Sequence, residues 1–123
     1  MNRRGAVVLT TSIANVKGMR GNATYGTAKA ALRSFARVLA AELLPQGIRV
    51  SAVTPGPIDT QLIEKHIPDK DAAAQRREQA RGMSPMKRFG TSEEIAKAVL
   101  FLAFDATFTT GAELQVGGAM LRL

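Results

Sequence analysis

Apolar residues follow two different periods along this chain. Gly5-Ala6-Val7-Val8-Leu9 is a continuous apolar run closed by Thr10-Thr11-Ser12, and it reads as a strand over about residues 5–11 covered on both faces. A glycine-containing loop follows, and then the period changes. Leu32, Phe35, Ala36, Leu39 and Leu43 recur at helical spacing and predict the apolar stripe of a long helix over about residues 23–44. Pro45 and Gly47 close that helix, the glycine allowing a left-handed residue just past its end. A second apolar run predicts a strand over about residues 48–53, ended by Pro55-Gly56-Pro57.

From Gln61 to Lys87 the pattern is polar and weakly periodic. One short helix at about residues 72–80 inside a mobile loop is expected there. Thr91-Ser92-Glu93-Glu94 has the spacing of a capping box, in which Thr91 and Glu94 satisfy orphan N–H groups reciprocally. The helix behind it should bury Ile95, Val99 and Leu102, and a last strand is expected over about residues 113–116. Strand, helix, strand, helix, strand is the order of a parallel sheet with helical crossovers, so the fold class is α/β with about three strands, part of a doubly wound sheet. The first strand is apolar throughout yet falls at a sheet edge, where unpaired backbone invites another chain.

Candidate chemistry sits at the start of the long helix. Tyr25 and Lys29 are four residues apart and so share a helix face. A cation beside a phenol favours the phenolate, whose parent acid otherwise titrates near pH 10. A tyrosine tuned that way serves as an acid/base at neutral pH. Ser12, thirteen residues before Tyr25, could hydrogen-bond a substrate carbonyl oxygen if brought alongside. Taken alone, Tyr-x-x-x-Lys equally describes an amphipathic helix with a half-buried tyrosine and a solvated lysine. Thr10 and Thr11 offer competing hydroxyls, and the thirteen-residue spacing favours Ser12.

The wider context resolves these alternatives. Gly5–Ser12, Tyr25-Gly26-Thr27-Ala28-Lys29, Gly47–Val53, Pro55-Gly56-Pro57-Ile58-Asp59-Thr60, Arg88–Ala96 and Thr110-Gly111-Ala112-Glu113-Leu114 stand in an order and spacing that resembles the second half of a short-chain dehydrogenase/reductase. The resemblance covers nearly the whole chain and implies a partial Rossmann-like fold. It implies an NAD(P)-dependent oxidoreductase acting on a ketone or secondary alcohol. By the same resemblance, Tyr25 would be the acid/base, Lys29 would tune it and hold the nicotinamide ribose, and Ser12 would bind the substrate oxygen. Pro55, Gly56, Ile58 and Thr60 would face the nicotinamide, Ile58 through its backbone and Thr60 through its hydroxyl. Gln61 to Lys87 would be the substrate loop.

In complete members of that family the glycine-rich turn that cradles the pyrophosphate precedes the segment resembling Gly5–Ser12. Gly18 and Gly21 follow a strand but lack the required spacing to a helix, and they read as a chance pair. The expectation is therefore a C-terminal, catalytic half spanning residues 1–123, with the nicotinamide end of NAD or NADP and not the adenine end. Met1 falls where complete members have the end of a preceding helix, as an internal methionine would. A non-catalytic relic or interaction module of the same family is the alternative. A half-sheet leaves apolar surface open, so the isolated chain is expected to form a homo-oligomer, bind a missing half, or aggregate. Two departures from the family pattern stand out. Gly117-Gly118-Ala119 replaces an Asp-Gly-Gly run, and Ser51 stands where asparagine is frequent, which is expected to leave a structural hydrogen bond unmade.

Composition narrows the partners. The chain has 123 residues and no cysteine, which suits one domain and excludes disulfides and thiolate metal sites. His66 is the sole histidine, and no metal site is expected. The formal charge of +7 raises nucleic acid as a partner. Its basic residues are scattered and accompany no nucleic-acid-binding signature, so a solvated surface is expected instead. No apolar run approaches the roughly 20 residues of a membrane span. The expected setting is cytoplasmic, and the expected partner is a small carbonyl or alcohol substrate.

Overall fold

The two valine-rich runs pair in parallel and in register. The computed structural model describes residues 4–123. In it β1 (Gly5–Thr10) lies beside β2 (Ile48–Pro55), with Gly5 opposite Ile48 and Thr10 opposite Val53. β3 (Glu113–Val116) pairs with the other edge of β2, Ala52 opposite Glu113 and Pro55 opposite Val116. The sheet order is β1-β2-β3, all parallel, and β1 is an edge strand as its position in the sequence predicts.

The central strand is covered on both faces, which is why Val50 to Thr54 are all buried. On one face α1 (Ala23–Leu43) lays Ala36 and Ala40 over Val50 and Ala52, with Leu39, Leu43, Val7 and Leu9 around them. On the other, Val53 packs with Leu102 and Ala106, ringed by Val8, Ala98, Val99 and Leu114. These two clusters give the α/β/α layering of a doubly wound fold. Phe35 departs from the expected stripe: it is 51% exposed. It stands one position before Ala36, about 100° around the helix, and with Val38 it forms a second apolar strip facing outward.

The stretch expected to be a mobile loop with one short helix is instead two helices. They are α2 (Leu62–His66) and α3 (Lys70–Met83). Asp69 caps α3 by accepting from the Asp71 N–H at 3.2 Å, and Ala73 and Ala80 are its buried positions. The helix expected at about 72–80 is α3, longer at both ends, and hydropathy under-read its length because its inward stripe is alanine and arginine rather than large apolar residues.

α4 (Ser92–Leu100) begins with the expected capping box: the Glu94 N–H donates to Thr91 Oγ1, and the Thr91 N–H donates to Glu94 Oε1, each at 3.1 Å. It ends in a wider π-helical turn, Phe101–Asp105, where the Ala106 N–H reaches the Phe101 carbonyl. The Arg49 guanidinium, projecting from β2, donates to the carbonyls of Leu102, Ala103 and Ala106 at 2.7–2.8 Å. A cation thus closes the negative end of the helix and satisfies carbonyls that have no helical partner. Among the described residues no helix is long and apolar enough to cross a membrane.

Candidate active site

The first turn of α1 is pressed against the turn that follows β1, and glycine makes this possible. A Cβ on Gly26 would stand 3.0 Å from the Ala14 carbonyl oxygen, so a side chain there would push the helix away. Ala14 belongs to a 3-10 turn, Ile13–Asn15, capped by Ser12. Lys29 adds a second tie, donating from Nζ to the carbonyl of Thr10 at 3.2 Å. The same ammonium lies 5.7 Å from the centre of the Tyr25 ring. Tyr25 is half-exposed. Lys29 and the Tyr25 ring beside it therefore lie near the carboxyl end of β1, two residues before Ser12.

The three hydroxyls at that strand end differ in what they have left to give. Ser12 Oγ accepts from the Ala14 N–H at 3.2 Å, which leaves its own proton free to donate. Thr11 is buried and fully engaged. It accepts from Asn15 Nδ2 at 3.1 Å and shares a 2.7 Å bond with Thr54 Oγ1. Thr54 in turn donates to Glu113 Oε1 at 2.9 Å. A carboxylate only accepts, so the Thr54 proton points to Glu113, while the Thr11 hydroxyl lies within donating distance of both Thr54 Oγ1 and, at 3.2 Å, the Val53 carbonyl. Arg33 on α1 pairs with Glu113 and ends the chain. A line of polar contacts thus runs from Asn15 through Thr11, Thr54 and Glu113 to the Arg33 ion pair, joining the turn behind Ser12 to β2, β3 and α1. Sequence reasoning missed it. The available signal was an acidic residue, Glu113, inside a strand, since a carboxylate taken from water needs a partner.

Pro55 ends β2, and Gly56, Ile58 and Thr60 follow it, next to the carboxyl end of β1. In open parallel sheets this end is where ligands bind. The Gly56 N–H donates to the Val116 carbonyl at 3.0 Å. Ile58 bridges Gly90: the Gly90 N–H donates to Pro57 at 2.9 Å, and the Asp59 N–H donates to Gly90 at 2.8 Å. That pattern uses the residues flanking Ile58 and directs the Ile58 peptide groups away from Gly90. Thr60 Oγ1 accepts weakly from the Leu62 N–H at 3.4 Å and is exposed. Ser51, expected to leave a hydrogen bond unmade, accepts one from the Ala112 N–H at 3.4 Å.

Beside the turn, a cavity of about 310 Å³ is lined by Ile13, Pro57, Ser84, Met86 and Met120 among others. Ser12, Tyr25 and Lys29 do not line it. Its rim carries Arg88, which is committed to Glu94 by a two-pronged contact at 2.8 and 3.0 Å. That contact, with the Thr91 N–H, lowers the Glu94 carboxyl from 4.5 to about 2.

Known proteins are similar to this chain. The enoyl-(acyl carrier protein) reductase family model matches residues 1–120. The 3-oxoacyl-[acyl-carrier-protein] reductase FabG of Pseudomonas aeruginosa is 40% identical over 119 residues, covering 96% of this chain and 46% of that protein. The inactive 2-(S)-hydroxypropyl-CoM dehydrogenase 2 of Xanthobacter autotrophicus is 39% identical, covering 96% of this chain and 52% of that protein. The solved structure of ElxO with NADP bound superimposes with a TM-score of 0.85 at 32% identity, covering 96% of this chain and 47% of that one. The chain spans about half the length of the curated relatives it matches. Its parallel three-stranded sheet and the family match together lead to one conclusion: the chain belongs to the short-chain dehydrogenase/reductase family.

Proposed function

We propose that this chain is the C-terminal, catalytic half of an NAD(P)-dependent oxidoreductase that interconverts a ketone and a secondary alcohol. The observation that carries the reading is Lys29, held between the Thr10 carbonyl and the Tyr25 ring, with the Ser12 hydroxyl two residues beyond Thr10 keeping a proton to donate. In the reduction direction Ser12 donates a hydrogen bond to the carbonyl oxygen and holds it near Tyr25. The Tyr25 hydroxyl gives its proton to that oxygen as the carbonyl carbon is reduced, and Lys29 offsets the charge left on the phenolate. When bound, the nicotinamide supplies or accepts the hydride. The donors available toward it fit one end of the cofactor: the Lys29 ammonium, the Ile58 N–H and the Thr60 hydroxyl, with Pro55 and Gly56 shaping the turn. The pyrophosphate and adenosine would be held by residues outside these 123.

The test is a fusion of this chain behind the glycine-rich half of a family member, assayed for carbonyl reduction with NADH and NADPH. Tyr25→Phe should cut kcat by about 10²-fold or more with unchanged circular dichroism. Wild-type turnover in that variant overturns the reading. A second reading, a non-catalytic interaction module, is favoured by the outward Phe35 and Val38 and by the open edge of β1. It predicts a fusion that folds and self-associates without turnover. Under either reading the isolated chain should sediment as an oligomer, because those surfaces stay open in a monomer.

A further inference from the structure

Residues 59–90 form a closed excursion with a narrow neck. Two backbone bonds make the neck, Gly90 N–H to Pro57 and Asp59 N–H to Gly90. Between Asp59 and Gly90 run α2 and α3, and near its end the excursion is also tied to Gly118, whose carbonyl accepts from the Met86 N–H and the Ser84 hydroxyl, each at 3.3 Å. The neck adjoins Ile58 and Thr60.

One side chain inside the excursion touches both sides of this neck. Arg77 lies on the inward stripe of α3, between Ala73 and Ala80 at helical spacing, and is the only charged residue of α3 that is not exposed. Its guanidinium pairs with Asp59 on one side of the neck and with Glu64 of α2 at 3.2 Å. The face of the same group lies 4.8 Å from the centre of the Phe89 ring, on the neck's other side. Two edge contacts and one face contact occupy the planar fork in a way an ammonium cannot.

We propose that Arg77 is a positioning residue that clamps the neck of the 59–90 excursion and so fixes the Ile58 N–H and Thr60 hydroxyl in place for the nicotinamide. The inference rests on the proposed reading of that turn as the nicotinamide contact. Arg77 makes its polar contacts with Asp59 and Glu64 and not with Ile58 or Thr60. It acts through Asp59, which sits between those two residues, and through Phe89, which precedes Gly90.

Amide hydrogen exchange by NMR on the full chain tests the clamp without any activity. In Arg77→Gln the Asp59 and Gly90 amides should exchange about ten-fold faster, from the loss of two exposed ion pairs and one cation–π contact. The Ala52 amide, bonded to the Ala112 carbonyl in the sheet at 2.8 Å, should keep its rate. Glu64→Gln removes one edge contact from an exposed helix and should move the same two amides in the same direction by less. Arg77→Lys should fall between wild type and Arg77→Gln. Unchanged Asp59 and Gly90 rates, or an equal acceleration at Ala52, overturn the clamp. Nicotinamide mononucleotide then probes the turn: shifts at the Ile58 and Thr60 amides in wild type, weakened in Arg77→Gln, support positioning. Equal shifts in both proteins overturn it. No shift in wild type removes the nicotinamide reading of the turn, while the exchange rates still decide whether Arg77 clamps the neck.

Discussion

Gly56 and Gly117 meet backbone to backbone, close enough that a Cβ on Gly56 would stand 2.7 Å from the Gly117 Cα. The reverse does not hold. A Cβ on Gly117 would make ordinary 3.5 Å contacts with the Gly56 nitrogen and Ile13. The turn after β2 and the segment after β3 are thus packed so that only one of the two positions demands glycine.

This asymmetry predicts unequal effects. Gly56→Ala should destabilise the chain by roughly 1–3 kcal/mol, the range for overpacking, because the obstructing atoms are backbone. Gly117→Ala should stay within about 0.5 kcal/mol of wild type. Urea unfolding of both variants is the measurement, and equal losses would contradict the packing described.

Arg49 should prove a stability residue despite lying outside the candidate site. Arg49→Met keeps the aliphatic stem and removes three charge-assisted bonds to the end of α4. The carbonyls regain water in part, so the expected loss is about 2 kcal/mol. Arg49→Lys should recover less than half, since one point charge cannot serve three diverging carbonyls. A thermal melt of the three proteins compares them.

The α4 cap carries a pH signature. The Arg88 guanidinium, first, and then the Thr91 N–H hold the Glu94 carboxyl at about 2 rather than 4.5. The unfolded chain therefore takes up this proton first as acid is added. The contribution is complete above pH 4.5 and is lost as pH falls from there through about 2. In Glu94→Gln that part of the acid sensitivity should vanish while the remaining carboxylates still titrate. Stability curves from pH 6 down to about 2 for both proteins check the sign.

Ala119 holds a left-handed backbone, with φ of 72°. An L side chain in that region costs roughly 1–2 kcal/mol, partly recovered through a less flexible unfolded chain. Ala119→Gly should therefore stabilise by about 0.5–1 kcal/mol. A lower midpoint in urea would show that the methyl group makes a compensating contact.

The α/β order, the parallel strands, the Thr91–Glu94 cap and the approach of Lys29 to the Tyr25 ring were legible because each depends on local period or spacing. Phe35 was misplaced because its spacing from Leu32 and Leu39 suits either of two adjacent helix faces, and only the position of the sheet selects Ala36. The helix carrying Arg77 was under-read because alanine gives little hydropathy and an arginine counts as solvent-facing until its partners are known. Those partners, Asp59, Glu64 and Phe89, are distant in sequence. Glu113 is the same case: its partners Arg33 and Thr54 come from elements that meet only when the sheet is assembled.

Tyr25 is the single tyrosine, and the chain contains no tryptophan. Phenylalanine absorbs only weakly and at shorter wavelength, so near-ultraviolet absorbance and emission from this molecule report one ring, the one beside Lys29. The candidate site is therefore its own optical label. Ligand entry, opening of the β1–α1 contact and titration of the phenol can each be followed without a probe, and Tyr25→Phe supplies the dark control.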